Sequence, residues 1–225
     1  MKNRKEIIKK LESKFALKME MYGFNKKFIN SNLRRKNNYG KDIIHFIYKD
    51  YGDLIRILVE VGIRYDSIMN YIYKLLKKYN YISNYKDSTM IGHYLYVIGN
   101  DAKKEYIINS EKDIDRVIDE IYNDVTKYAL PFFEKYSDIN EVFQYSLDDN
   151  RPLRLMPMDV YRVIESIVIS KLYNLGDTNK LIKNRSKYIN LLDVGDDNQK
   201  NFIMEIFNAF LKEYENDLDN EKDEK

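Results

Sequence analysis

The chain has 225 residues, of which 44% are hydrophobic and 33% charged, with no cysteine, no tryptophan and a net charge of +2. That length suits one generous domain, or one domain with a helical annex. The absence of cysteine excludes disulfides and thiolate metal sites, and no apolar run reaches the roughly 18 residues of a membrane span.

The start, MKNRKEIIKKLESKF, lacks the apolar core of a signal peptide, so a cytoplasmic location with no membrane partner is expected. Tyrosine is frequent (21 residues), alongside many Lys, Asn and Ile; AT-rich codon bias explains that set together, so composition points to no function. Charge is uneven: residues 1–41 carry 13 Lys and Arg against 3 Glu, a net +10, and the remainder carries −8. A basic end suggests an acidic partner or nucleic acid.

From Lys2 to Tyr22 the spacing of Ile8, Leu11, Phe15, Met19 and Tyr22 predicts a helix, stopped by Gly23. Lys5, Lys9, Lys10, Lys14 and Lys18 fall on its other faces, and a solvated basic surface is the ordinary reading of such a helix. Phe24–Lys36 alternates weakly and is expected as an edge strand; Ile43–Lys49 follows after the turn-rich Asn37-Asn38-Tyr39-Gly40. Asp50-Tyr51-Gly52-Asp53 signals a hairpin turn into the clearest stretch of the chain, Asp53–Tyr65. There Ile55, Ile57, Val59, Val61, Ile63 and Tyr65 share one face, and Arg56, Glu60 and Arg64 lie on the other. Such alternation specifies a strand with one buried and one polar face.

A helix from Asp66 or Ser67 to about Tyr79, a polar loop over 80–88, a strand over Thr89–Ile98 and a short strand over Glu105–Asn109 are predicted next. Ser110 and Asp113 stand at capping-box spacing before a helix striped with Ile114, Val117, Ile118, Ile121, Val125 and Tyr128. Its opposite face carries Asp115, Asp119, Glu120 and Asp124, an acidic surface. Pro131 forces a break or restart, and Ser137 can cap a short helix through Phe143. The charged, proline-bearing Asp148–Pro152 is the expected boundary. Beyond it three helices are predicted, over about Met158–Tyr173, Thr178–Leu192 and Asp197–Glu215, with 216–225 a disordered charged tail.

Recognisable chemistry is sparse. His45 and His93 both fall in strand patterns; neighbouring strands would make them a dyad, and a metal would then need a carboxylate such as Glu60. No glycine-rich phosphate loop or nucleophile motif is present, and 36 carboxylates nominate no particular catalytic pair. No cofactor, metal or catalytic residue is therefore expected. For nucleic acid the densest cluster is Arg34, Arg35 and Lys36, near Phe24, Phe28 and Tyr39. Arg56, Glu60 and Arg64 recur every four residues, one row at about 13–14 Å intervals, and form the candidate binding face.

The helix ending in Tyr22-Gly23-Phe24-Asn25-Lys26-Lys27, the following strands, VGIRYD at Val61–Asp66, MIGHYL at Met90–Leu95 and ALPFFEKY at Ala129–Tyr136 together resemble a bacterial domain-of-unknown-function family. The resemblance covers roughly Lys5 to Tyr145, though this chain lacks the tryptophans common at those places. It implies an α+β fold, no catalytic residues to carry over, and bacterial accessory or toxin-neutralising contexts. The expected architecture is thus α+β: residues 1–150 form an antiparallel sheet of four to five strands packed with helices, followed by a C-terminal three-helix extension over 151–215. The expected function is non-catalytic interaction with another protein, in one version as a toxin-neutralising immunity protein. The alternatives are nucleic-acid association through the basic N-terminal region and a hydrolase with a cryptic carboxylate site.

Overall fold

In the computed structural model, which describes residues 4–79, 89–150, 155, 156, 159–192 and 197–223, five strands and nine α-helices are formed. The strands are β1 (Asn32–Lys36), β2 (Gly40–Asp50), β3 (Ile55–Tyr65), β4 (Ile91–Tyr94) and β5 (Tyr106–Ile108). The helices are α1 (Arg4–Met19), α2 (Asp66–Leu76), α3 (Leu95–Ile98), α4 (Ile114–Asp124), α5 (Leu130–Lys135), α6 (Ile139–Leu147), α7 (Asp159–Tyr173), α8 (Thr178–Leu191) and α9 (Asp197–Asp223). The fold is α+β, an open antiparallel sheet with helices and a C-terminal run of three more. No helix among the described residues is long and apolar enough to cross a membrane.

The chain divides into two compact units. The first comprises residues 1–65, 89–138 and 152–155; the second takes 66–88, 139–151 and 156–225, interleaving the two sides of the boundary expected near residue 150.

In the first unit β3 is the central strand, with β2 along one edge and both β4 and β5 along the other. The β2–β3 register pairs Phe46 with Val59 and Ile44 with Val61, and β1 adds Leu33 opposite Ile44. All of these are buried, so the alternation of Asp53–Tyr65 does define an apolar face. Two strand expectations change. Only Asn32–Lys36 of the 24–36 stretch is strand, because Asn30 and Ser31 take positive φ values of 50° and 58° and turn the chain back. The 89–98 strand ends at Tyr94, and Leu95–Ile98 is one helical turn. The cause lies in β3, whose free edge is shared: β4 pairs with residues 60–63 and β5 with residues 55–57. A longer β4 would occupy the positions that β5 fills.

Helix α1 lies on the apolar face, with the Phe15 ring 5.0 Å from that of Phe46 and Leu11, Phe15, Ala16 and Met19 fully buried. It continues as a 3-10 turn over Glu20–Tyr22 and stops at Gly23, whose φ of 82° suits glycine. Helix α4 opens with the capping box read from sequence, Asp113 accepting from the Ser110 and Asn109 amides. Pro131 does not break this helix. Residues Val125–Ala129 widen into a π turn and α5 follows without interruption, since proline has no N–H to give the preceding turn. The basic face of α1 and the acidic face of α4 turn out to be each other's partners. Lys10, Lys14 and Lys18 reach Glu111, Asp115 and Asp119 at 2.5, 2.5 and 2.6 Å, one pair per turn.

The second unit is helical. Residues 162–170 of α7 are all buried, and α7 packs against α2, α6, α8 and α9. Polar groups inside this unit are organised around carboxylates and one carbonyl. Arg162 and Arg185 converge on Asp149 at 2.9 and 2.7 Å and both donate to the Ser146 carbonyl. Helix α9 runs through Asp223 rather than ending at Glu215. Asp217, one residue pair past that expected end, accepts from Tyr71 at 2.6 Å and Lys74 at 2.5 Å, which ties the extra turns to α2.

Candidate functional site

The β2–β3 hairpin decides which side chains leave the apolar core. Its turn pairs Asp50 with Ile55, and counting outward pairs His45 with Glu60 and Lys49 with Arg56. These four residues stand on the outward face, joined by Tyr94 opposite Glu60 and Ile107 opposite Arg56. Arg56 is held on two sides: Nη1 donates to Glu105 Oε2 at 3.1 Å, and the guanidinium lies 4.6 Å from the Tyr51 ring centre. Its Nε is buried and makes no hydrogen bond within the protein. His45 Nδ1 is 3.2 Å from Glu60 Oε2, with both side chains a little over one-third exposed. Tyr94 stacks on Tyr96 at 5.5 Å, and burial together with Glu60 raises its phenol above the ordinary value.

Of the row read from sequence, Arg56 and Glu60 are accessible and Arg64 is not. Arg64 shares the face but is only 2% exposed, and Ile43 and Leu58 on the same face are also buried. The face is therefore covered around Arg64 and Ile43, and Leu58 is buried between the accessible Arg56 and Glu60, where an uncovered row was expected. Within the first unit Thr89 contributes to that cover: a Cβ added at Gly62 would sit 2.5 Å from Thr89 Cγ2. Glycine is required there because the two segments lie that close.

The basic cluster is divided by the strand itself. Arg34 and Lys36 point outward, while Arg35 turns to the opposite face and pairs with buried Asp42, Nε and Nη2 each 2.7 Å from Oδ2. Adjacent strand residues cannot present one patch. Together with the Lys10, Lys14 and Lys18 pairs, this commits much of the N-terminal positive charge to internal partners. The two histidines do not form a dyad either. Strands β2 and β4 flank β3 on opposite sides, and His93 pairs with Val61 on the other face from His45. Its Nδ1 accepts from its neighbour's amide, Tyr94 N, at 2.7 Å, and burial lowers the imidazole below the ordinary histidine value against the opposing pull of Glu60. Among the described residues no group of three His, Asp or Glu is placed to hold a metal ion.

Sequence reading missed Tyr94, Glu105, Tyr51 and Asp42. The hairpin register would have put His45 beside Glu60, since the turn signal fixes the count. Glu105 and Tyr94 reach the face only through the split edge of β3, which no local pattern announces. No curated protein and no solved structure matches the chain. Residues 15–135, which include all five strands, match the model of a domain of unknown function, DUF4304, and with more than half its length so matched the chain belongs to that family.

Proposed function

We propose that the protein is a non-catalytic interaction module that binds another protein through the outward face of β2, β3 and β5. The observation that carries this is the state of Arg56, an arginine half-exposed between Glu105 and Tyr51, with exposed Ile107 beside it. Arginine and tyrosine are the side chains that most often anchor interfaces. Held in place before binding, they lose little conformational freedom on association. The row of Arg56 and Glu60 supplies opposite charges about 13–14 Å apart, which fixes how a partner can be oriented.

The narrower form of this reading is a toxin-neutralising immunity protein, whose partner is a toxin occluded by this face. It rests on the family resemblance rather than on the geometry. Affinity capture from the native host with wild-type protein and with Arg56→Glu tests both forms. An equimolar partner retained by the wild type and lost by the variant is expected; a partner held equally by both overturns the assignment to this face. For the narrower form, expression of the captured partner alone arrests growth, and the wild type restores it. A harmless partner excludes that form and leaves the broader one standing.

A further inference from the structure

Away from the outward face, a cleft of about 520 Å³ opens between Tyr22, the tip of the β1–β2 hairpin and α5. Its volume is in the range of small-molecule sites, roughly 300–1,000 Å³. Tyr22 and Tyr39, both partly exposed, the fully buried Phe133 beneath them, and the polar groups of Arg35, Asn37 and Glu134 line it.

The hairpin side of the cleft is fixed in position. Asp42, completely buried, accepts from Arg35, from Asn37 Nδ2 at 2.7 Å and from the Tyr39 hydroxyl at 2.6 Å. The Arg35 guanidinium lies 5.1 Å from the Phe24 ring centre and 5.6 Å from that of Phe133, and Nη1 donates to the Tyr22 carbonyl at 3.2 Å. Tyr39 stacks on Tyr65 at 4.8 Å. A guanidinium carries about five N–H donors. Three are used here, through Nε and Nη2 to Asp42 and Nη1 to Tyr22, so donors remain on the Nη atoms of a side chain 24% exposed. The other wall is α5, set in register by the π turn before it, and it presents Glu134 exposed at the surface. No ion pair joins Glu134 to any described residue, Arg35 included. Since Asp42 offsets Arg35, the uncompensated charge of the cleft is the Glu134 carboxylate.

A group that fits must therefore offer a cation to a carboxylate flanked by aromatic rings, and an acceptor to the guanidinium edge opposite. We propose that this cleft binds a free α-amino acid with a ring-bearing side chain, its ammonium group on Glu134, its carboxylate on the remaining N–H donors of Arg35, and its ring against Tyr22 and Tyr39.

Titration of the isotope-labelled full chain with L-phenylalanine, phenethylamine or phenylacetate, followed by amide NMR shifts, tests it. Millimolar L-phenylalanine is expected to shift amides around Tyr22, Asn37–Tyr39 and Phe133–Ser137, and each analogue to bind more weakly. Glu134→Gln, a surface change that leaves the Arg35–Asp42 pair intact, should weaken L-phenylalanine and phenethylamine about tenfold or more, as for one charge-assisted hydrogen bond. Phenylacetate should be unaffected by it. No shifts at millimolar ligand, shifts confined to another surface, phenylacetate binding as tightly as the amino acid, or unchanged affinity in Glu134→Gln would each overturn the proposal.

Discussion

Replacing Glu165 by glutamine or methionine is expected to stabilise the protein at neutral pH. Glu165 lies in α7 within the fully buried 162–170 stretch and is 4% exposed. Its Oε2 is shielded and accepts no hydrogen bond. Burial raises its carboxyl well above the ordinary value, with Arg162 pulling in the opposite direction. An acid that binds its proton more tightly folded than unfolded loses stability as pH rises through the interval between the two values. The penalty is absent below the unfolded value, near pH 4.3, and complete once pH exceeds the folded one. An unmet buried polar group costs about 1–3 kcal/mol, and each kcal/mol is worth roughly 2–4 °C in a chain of this size. Urea denaturation and thermal melting of wild type, Glu165→Gln and Glu165→Met across the range from about pH 5 to 8 measure this directly. The advantage of both variants should grow with pH, and methionine should gain at least as much as glutamine because it leaves no amide to satisfy. A wild type more stable than both variants at neutral pH would show that attraction to Arg162 outweighs burial. A gap that does not change with pH would show that the carboxyl does not titrate with folding. Either result refutes the reasoning.

Asp42→Asn should cost about 3–5 kcal/mol by urea denaturation, because it leaves the Arg35 guanidinium without its buried counter-charge; a loss below that of an ordinary surface change would mean the pair is not stabilising. Lys14→Glu should destabilise at low salt by placing like charges opposite Asp115, with recovery in the double variant Lys14→Glu, Asp115→Lys and a smaller effect in high salt. Gly62→Ala should cost about 1–3 kcal/mol through its contact with Thr89, and Thr89→Ser should return part of it by removing Cγ2. In an NMR pH titration His93 should titrate below the ordinary histidine value, as its burial dictates.

Local pattern carried most of the secondary structure. The alternation over Ile55–Tyr65, the stripe over Ile114–Val125 and the Ser110–Asp113 cap each depend on residues close in sequence, so each is written in one stretch of chain. The same holds for the stop at Gly23 and the divided faces of Arg34 and Arg35. What the sequence could not declare is what each face meets. The lysines of α1 and the carboxylates of α4 are 101 residues apart, so two surfaces that read as solvated became one ladder of ion pairs. Burial of Arg64, loss of the strand after Tyr94, and continuation of α9 through Asp217 follow equally from neighbours distant in sequence. The candidate face shows both sides of this. Periodicity alone put Arg56 and Glu60 on one outward row and the hairpin turn brought Tyr51 to Arg56, whereas the contributions of Glu105 and Tyr94 arose only when two short strands divided one edge of β3. Periodicity fixes which way a side chain points, and only packing decides whether water or protein stands there.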